Sequence, residues 1–311
     1  MHIVICEFMD QRAVAQLQRH HEVVYEPTLV DELPRLLQLA PRADALIVRN
    51  RTQVRGDLLA ALTRCKVVGR LGVGLDNIDA AACEGKGMAV IPATGANALS
   101  VAEYVITTTM MLLRGAFVST ADVAAGRWPR NALGNGRETS GKTMGVVGFG
   151  SIGRTTARLA QGLGMEVIAF DAMLDADTPV FQETGVRYVG LQELILQADV
   201  ITLHVPLVEA TRGLFDAQCI ASMKPGAVLI NTSRGHIVDL SAVAASLRNK
   251  HLGGAAIDVF DAEPLAASAE LQDCPNLLLT PHISGVSAES NERVSFLIAE
   301  KVLEALQPWR N

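Results

Sequence analysis

Two doubly wound parallel-sheet α/β domains are predicted by three features of this chain. It has 311 residues, more than one typical core and enough for two. Short β-branched runs alternate along it with longer helical patterns, the rhythm of strand–helix–strand units. A glycine-rich turn, Gly148-Phe149-Gly150-Ser151-Ile152-Gly153, stands between a strand pattern and a helical one.

The first strand series is His2 to Cys6, Glu22 to Tyr25, Ala45 to Val48, Lys66 to Leu71 and Ala89 to Ile91, with a helix near Gln11 to His20 between the first two. Each run stops at a glycine, proline or charged loop, as buried strands of a parallel sheet do. From Ser100 the stretch S-V-A-E-Y-V-I-T-T-T-M-M-L-L-R has no glycine or proline. Ser100 followed by Glu103 has capping-box spacing and predicts that a long connecting helix starts there. A second series, Met144 to Gly148, Glu166 to Phe170, Val200 to His204, Ala227 to Asn231, Ala255 to Val259 and Leu277 to Thr280, predicts a six-stranded doubly wound sheet. One helix remains, roughly Ser287 to Gln307, with Val294, Leu297, Ile298 and Val302 in helical register. It is expected to return to the first domain, making that domain discontinuous.

Charge and cysteine usage narrow the setting. With 33 acidic against 27 basic residues the net charge is −6, without long runs, which argues against nucleic acid or an anionic membrane as main partner. The start, M-H-I-V-I-C-E-F-M-D, has no basic region or cleavage site, and no apolar run is long enough to span a bilayer, so a cytoplasmic protein is expected. Cys6, Cys65, Cys83, Cys219 and Cys274 are scattered without C-x-x-C spacing. They read as reduced, mostly buried thiols, with no metal site.

A G-x-G-x-x-G pattern alone is weak, but this one has the right surroundings. Gly148 can make the tight turn after the strand, Gly150 can admit a pyrophosphate, and Gly153 can let helix and strand approach. The next strand, M-E-V-I-A-F, ends in Asp171, where a carboxylate would bond ribose hydroxyls and repel a 2′-phosphate, favouring NAD over NADP. Arg154 can face either a phosphate or solvent.

Three polar residues follow later strands. His282 comes directly after L-L-L-T-P, at a carboxyl end, where open α/β sheets place ligands. An imidazole there can exchange the proton of an alcohol or ketone. Glu263, in D-V-F-D-A-E-P, can orient that ring and stabilise its imidazolium, although Asp261 is an equal candidate on residue type alone. Arg234, after A-V-L-I-N and T-S, can clamp a carboxylate bidentately or form a structural salt bridge; Gly235 beside it implies a crowded backbone.

At these residues the chain resembles the D-isomer-specific 2-hydroxyacid dehydrogenase family over nearly its whole length. G-V-V-G-F-G-S-I-G at 145–153, H-V-P-L at 204–207, M-K-P-G-A-V-L-I-N-T-S-R-G at 223–235, D-V-F-D-A-E-P at 258–264 and T-P-H-I-S-G at 280–285 are similar to its signatures, in order. The resemblance implies Arg234, Glu263 and His282 as catalytic residues. It implies NAD contacts at Gly148, Gly150, Ser151, Ile152, Gly153, Asp171, His204, Val205, Pro206, Thr232, Ser233, Arg234, Asp258, His282 and Gly285. It further implies a Rossmann nucleotide domain over 99–283, a discontinuous flavodoxin-like substrate domain from 1–98 and 284–311, a cleft that closes over substrate, and a homodimer. G-R-L-G-V-G-L-D-N-I-D at 69–79 resembles the loop whose amides at Val73 and Gly74 meet the substrate carboxylate, with Asn97 nearby.

Substrate choice is expected to rest on Arg49, Arg51 and Arg70, which stand at strand ends in the first domain. Arg49 and Arg70 resemble residues that hold a distal phosphate in phosphoglycerate dehydrogenases, and Arg51 replaces a small residue there. Arginines beside turns also pair with surface acids. With E-F-M-D, P-A-T-G-A-N-A-L-S-V-A-E-Y, R-G-A-F-V-S-T and G-R-W-P-R, the pattern looks closest to (S)-sulfolactate dehydrogenases. A D-type enzyme is compatible with that S label, because the sulfur-bearing arm outranks the carboxylate in naming. The expectation is therefore a small 2-hydroxy acid with an anionic C3 substituent, 3-sulfolactate or 3-phosphoglycerate. A glyoxylate or hydroxypyruvate reductase and an NAD-sensing corepressor are the alternatives; a formate dehydrogenase is disfavoured, since that branch pairs its His with Gln.

Overall fold

The computed structural model describes residues 1–309 and divides into two compact units, Met1–Asn97 with Val286–Asn311, and Ala98–Gly285. In the first unit, β1 (His2–Ile5), β2 (Glu22–Tyr25), β3 (Ala45–Val48), β4 (Val67–Arg70) and β5 (Ala89–Pro92) form one sheet in the order β2-β1-β3-β4-β5. All its pairings are parallel. This is the flavodoxin-like order, with its direction reversing between β1 and β3.

The sheet is covered on both faces because its strands are apolar on both. Along β3, Ala45 and Ile47 face one core with Ile3, Ile5 and Val67, while Leu46 and Val48 face another with Val4, Leu36 and Val68. The helix Ala288–Leu306 buries Val294, Ile298, Ala299, Val302 and Leu306 against the first of these cores, and Leu297 is partly buried there. A capping box between Ser287 and Ser290 starts it.

The second unit contains β6 (Thr143–Val147), β7 (Glu166–Phe170), β8 (Arg187–Tyr188), β9 (Val200–Leu203), β10 (Val228–Asn231), β11 (Gly254–Ile257) and β12 (Leu277–Leu279). Their order is β12-β11-β10-β9-β6-β7-β8, again all parallel. Reading outward from β6 gives the Rossmann order, with β12 added at one edge. The sheet thus has seven strands rather than the six expected. The extra strand β8 spans two residues, pairing Arg187 with Ile168 and Tyr188 with Ala169. So short a piece, half of it charged, carries no periodic signal.

The connecting helix also differs at its start. It spans Ala98–Arg114, so Ser100 lies inside its first turn and does not cap it. Nothing in Ala98-Leu99 breaks a helix, and the chain turns earlier, at Gly95, whose φ is +83°. This helix buries Ala98, Val101, Ala102, Val105, Leu112 and Leu113. Among the described residues, no single helix is long and apolar enough to cross a membrane. Cys6, Cys65 and Cys83 are buried, Cys219 and Cys274 partly so, and all five are free thiols. No cluster of three metal-ligating side chains occurs among the described residues.

Candidate active site

Most of the polar side chains singled out in the second unit lie at or just beyond the carboxyl end of a strand: Asp171 after β7, His204 after β9, Thr232 to Arg234 after β10, Asp258 after β11 and His282 after β12. Parallel strands deliver all these loops to the same edge, and the chain direction switches between β6 and β9.

The glycine turn is shaped by its neighbours. Gly148 has φ +95°, and a Cβ there would lie 2.5 Å from the His204 carbonyl oxygen. A Cβ on Gly153 would strike the Gly148 carbonyl oxygen. At Gly150, by contrast, nothing lies within 4 Å of the Cβ position. That open cradle faces the start of helix Ser151–Gly162, whose N-cap Gly150 supplies no side-chain cap, so the first-turn amides of Ser151, Ile152 and Gly153 are available to an anion. Asp171 is fixed beside the turn: Oδ2 accepts the Phe149 N–H at 2.7 Å and Oδ1 the Met173 N–H at 2.9 Å. Each oxygen retains capacity for a ribose hydroxyl. Thr232 Oγ1 is buried without a protein partner, as a group awaiting a ligand would be. These residues fit a dinucleotide.

Other residues tie the loops together. Ser233 donates its hydroxyl to the Leu203 carbonyl at 2.6 Å, joining the ends of β9 and β10. His204 Nε2 lies 3.1 Å from Thr202 Oγ1, and burial pushes its pKa down to about 3, so the ring is neutral. Val205 packs on the core, and the Pro206 carbonyl accepts the Thr211 hydroxyl at 2.6 Å. Asp258 is fully buried; its carboxylate accepts the Thr280 hydroxyl and the amides of Ile283 and Ser284. The loop it holds ends at Gly285, the last residue of the unit.

The residues expected to act on substrate sit on braced backbone. Arg234 leaves β10 through a turn held by buried Asn231, whose Oδ1 accepts the Ser233 N–H and whose Nδ2 donates to the Arg234 carbonyl. Arg234 Nη1 donates to the Ser233 carbonyl at 2.6 Å. The crowding implied by Gly235 is real: a Cβ there would fall on the backbone of Phe260 and Asp261. The Arg234 loop and the Glu263 loop therefore touch backbone to backbone. Glu263 Oε1 accepts the Phe260 N–H at 3.0 Å, and Oε2 lies 2.7 Å from His282 Nδ1. Asp261 instead lies 3.5 Å from His236 Nδ1, which separates the two candidate acids. A carboxylate of Glu263 only accepts, so the pairing assigns the proton to His282 Nδ1 and leaves Nε2 outside this contact. His282 has φ +55°, a left-handed backbone conformation that few side-chain-bearing residues adopt.

In the first unit, buried Glu7 organises the arginine loop. Its Oε1 accepts the amides of Arg49 and Thr52 at 2.8 and 3.0 Å, and Oε2 that of Arg51 at 3.3 Å. Asn77 Nδ2 donates to the Arg49 and Thr52 carbonyls from the other side. Neither residue carries a sequence signal, because each acts on backbone far away in the chain. The half-buried Arg49 guanidinium donates to Asn291 Oδ1 at 2.8 Å and lies 5.6 Å from the Phe8 ring centroid, with no carboxylate in salt-bridge range among the described residues. Burial lowers its pKa, with Glu7 opposing. Arg51 is exposed and pairs bidentately with Asp31. Arg70 folds back over Gly72 and donates Nη1 to the Leu71 carbonyl. Val73 and Gly74 are half-buried in an irregular loop, and Asn97 has a buried, unpartnered Oδ1.

A sequence profile described as the D-isomer specific 2-hydroxyacid dehydrogenase, NAD binding domain, matches residues 106–284, the stretch holding this cradle and the Glu263–His282 pair. The chain belongs to that family. The enzyme is an NAD-dependent 2-hydroxyacid dehydrogenase. Over 304 residues it is 54% identical to a protein called (S)-sulfolactate dehydrogenase from Chromohalobacter salexigens, covering 98% of each chain. It is 37% identical to a hydroxypyruvate reductase from Thermotoga maritima, covering 96% of each. The D-lactate dehydrogenase of Aquifex aeolicus, solved with NAD and lactic acid, superposes with a TM-score of 0.85 at 26% identity, covering 99% of this chain and 98% of that one.

Proposed function

We propose that this dehydrogenase oxidises a small D-type 2-hydroxy acid with an anionic C3 substituent, 3-sulfolactate ahead of 3-phosphoglycerate. The observation that carries the reading is the 2.7 Å pairing of Glu263 with His282 Nδ1, which leaves Nε2 as the proton-exchanging atom. NAD, held by the glycine turn, Asp171 and Thr232, would supply the acceptor for the C2 hydride. His282 Nε2 takes the hydroxyl proton as the C2–O bond becomes a carbonyl, and Glu263 stabilises the resulting imidazolium. Arg234 clamps the substrate carboxylate.

Arg49 is the first candidate to read the distal anion, with Arg51 and Arg70 in support. A partly desolvated guanidinium with no carboxylate in salt-bridge range among the described residues suits a sulfonate or phosphate. The 54% identity to a protein of that name supports sulfolactate. Against a distal anion site stands the Arg51–Asp31 pair, which favours a glyoxylate or hydroxypyruvate reductase. A homodimer through the second unit is supported by the exposed Phe117, Val118, Val123 and Trp128, which lie close together in the sequence.

The test is initial-rate NAD reduction with 3-sulfolactate, 3-phosphoglycerate, D-glycerate and D-lactate, in wild type, Arg49→Ala and Arg51→Ala. Preference for a charged C3 arm that is lost in either variant supports the anion-reading enzyme and ranks the two arginines. Equal rates across the panel assign both arginines to structure and favour the reductase.

A further inference from the structure

We propose that Tyr104 is a positioning residue that holds the acid/base His282 in place through Thr280 and Asp258. The inference rests on the reading of His282 as the proton-exchanging group and adds a residue remote from it in sequence.

The chain of contacts has one consistent direction. Asp258 is fully buried, and its carboxylate is ringed by donors: Oδ1 takes the Thr280 hydroxyl at 2.5 Å and the Ile283 N–H at 2.9 Å, and Oδ2 takes the Ser284 N–H at 2.8 Å. With its proton committed to Asp258, Thr280 Oγ1 can only accept from Tyr104, whose hydroxyl lies 2.6 Å away. Burial raises the Tyr104 pKa, which keeps the phenol a donor at neutral pH. Successive bonds of this kind polarise one another.

The geometry around His282 gives the chain its purpose. The His282 N–H donates to the main-chain carbonyl of Asp258 at 2.8 Å, and the next two amides are captured by the Asp258 carboxylate. His282 is thereby held in its left-handed backbone conformation from both sides. The ring then projects to meet Glu263 at 2.7 Å. Tyr104 sits in the middle of helix Ala98–Arg114, which is locked into the core by Val101, Ala102 and Val105. The phenol therefore ties the loop to a helix buried in the core.

The experiment compares Tyr104→Phe, Thr280→Val, His282→Asn and the double variant Tyr104→Phe/His282→Asn, using 3-sulfolactate or whichever acid of the panel turns over fastest. Expected for Tyr104→Phe is a fall in kcat of about tenfold, with KM and NAD affinity by fluorescence titration within about twofold and little change in Tm. Thr280→Val should fall at least as far. Adding Tyr104→Phe to His282→Asn should cost nothing more, because the tyrosine acts through the histidine. An unchanged kcat in Tyr104→Phe, or an additive loss in the double variant, overturns the proposal. A His282→Asn variant with wild-type kcat would instead overturn the acid/base reading on which it rests.

Discussion

Glu263 reaches two partners at once, the Phe260 amide through Oε1 and His282 Nδ1 through Oε2, so one carboxylate both orders its own loop and orients the imidazole 19 residues later. Replacing it with Gln should keep the loop but weaken the charge opposite an imidazolium. Glu263→Gln is expected to lower kcat about tenfold to a hundredfold with NAD affinity unchanged, and His282→Asn about a hundredfold or more. Steady-state kinetics with fluorescence titration of NAD would check both, and equal activity in the two variants would count against the pairing's role.

Asp171 is held against the glycine turn by the Phe149 amide. Asp171→Ser should raise the KM for NAD about tenfold, the loss of on the order of one charge-assisted hydrogen bond, and improve use of NADP. The ratio of kcat/KM for the two cofactors measures this directly; an unchanged ratio would place the ribose elsewhere.

Gly235 has no room for a methyl group, since a Cβ would meet the Phe260 backbone. Gly235→Ala must push apart the loops carrying Arg234 and Glu263. Expected is a loss of about 1–3 kcal/mol in urea unfolding together with a fall in kcat/KM. A variant with normal stability and activity would show that the loops are more compliant than they look.

Glu7 gathers three amides of the arginine loop. Glu7→Ala leaves them unmatched in a buried place and should cost about 2–4 kcal/mol of stability. Selectivity for acids with a charged C3 arm should fall with it, while activity on D-lactate falls less. Thermal denaturation and the same substrate panel provide the readout.

Acid sensitivity is expected from Asp199. Burial raises its pKa, but hydrogen bonds from Lys224 at 2.8 Å and the Thr143 amide at 2.9 Å outweigh that and the net shift is downward. A carboxylate with a depressed folded-state pKa adds stability above its unfolded value of about 3.9 and loses it as pH falls through the folded value. Wild type should therefore exceed Asp199→Asn in stability by about 1–2 kcal/mol at pH 7, with the gap closing as pH falls below about 4. Urea titrations at pH 7, 5 and 3 would reveal a pH-independent gap if the contribution were not electrostatic.

Much of this architecture is legible in the sequence. The strands of both sheets are apolar runs ended by breakers, and all but one were readable. The exception, Arg187–Tyr188, exists because it borrows partners from β7 and has no pattern of its own. The capping-box spacing at Ser100 misplaces the start of the connecting helix because it is local, whereas the chain turns earlier, at Gly95.

For the site, residue order alone specifies the kinds of group and their succession: a glycine cradle, an acid one strand later, then an arginine, a carboxylate and a histidine at or after strand ends. Residue type and the rule that parallel strands present their carboxyl ends together suffice for that. Which acid meets His282 is settled by the folded chain, because Asp261 and Glu263 differ by two positions and point to different histidines. The folded chain also separates Arg49, whose guanidinium has no carboxylate in salt-bridge range among the described residues, from Arg51, which Asp31 engages. Tyr104, Thr280, Glu7 and Asn77 emerged only there as well. Each works through a hydrogen bond whose partner is remote in the chain or whose geometry is set by packing, and sequence spacing does not encode that.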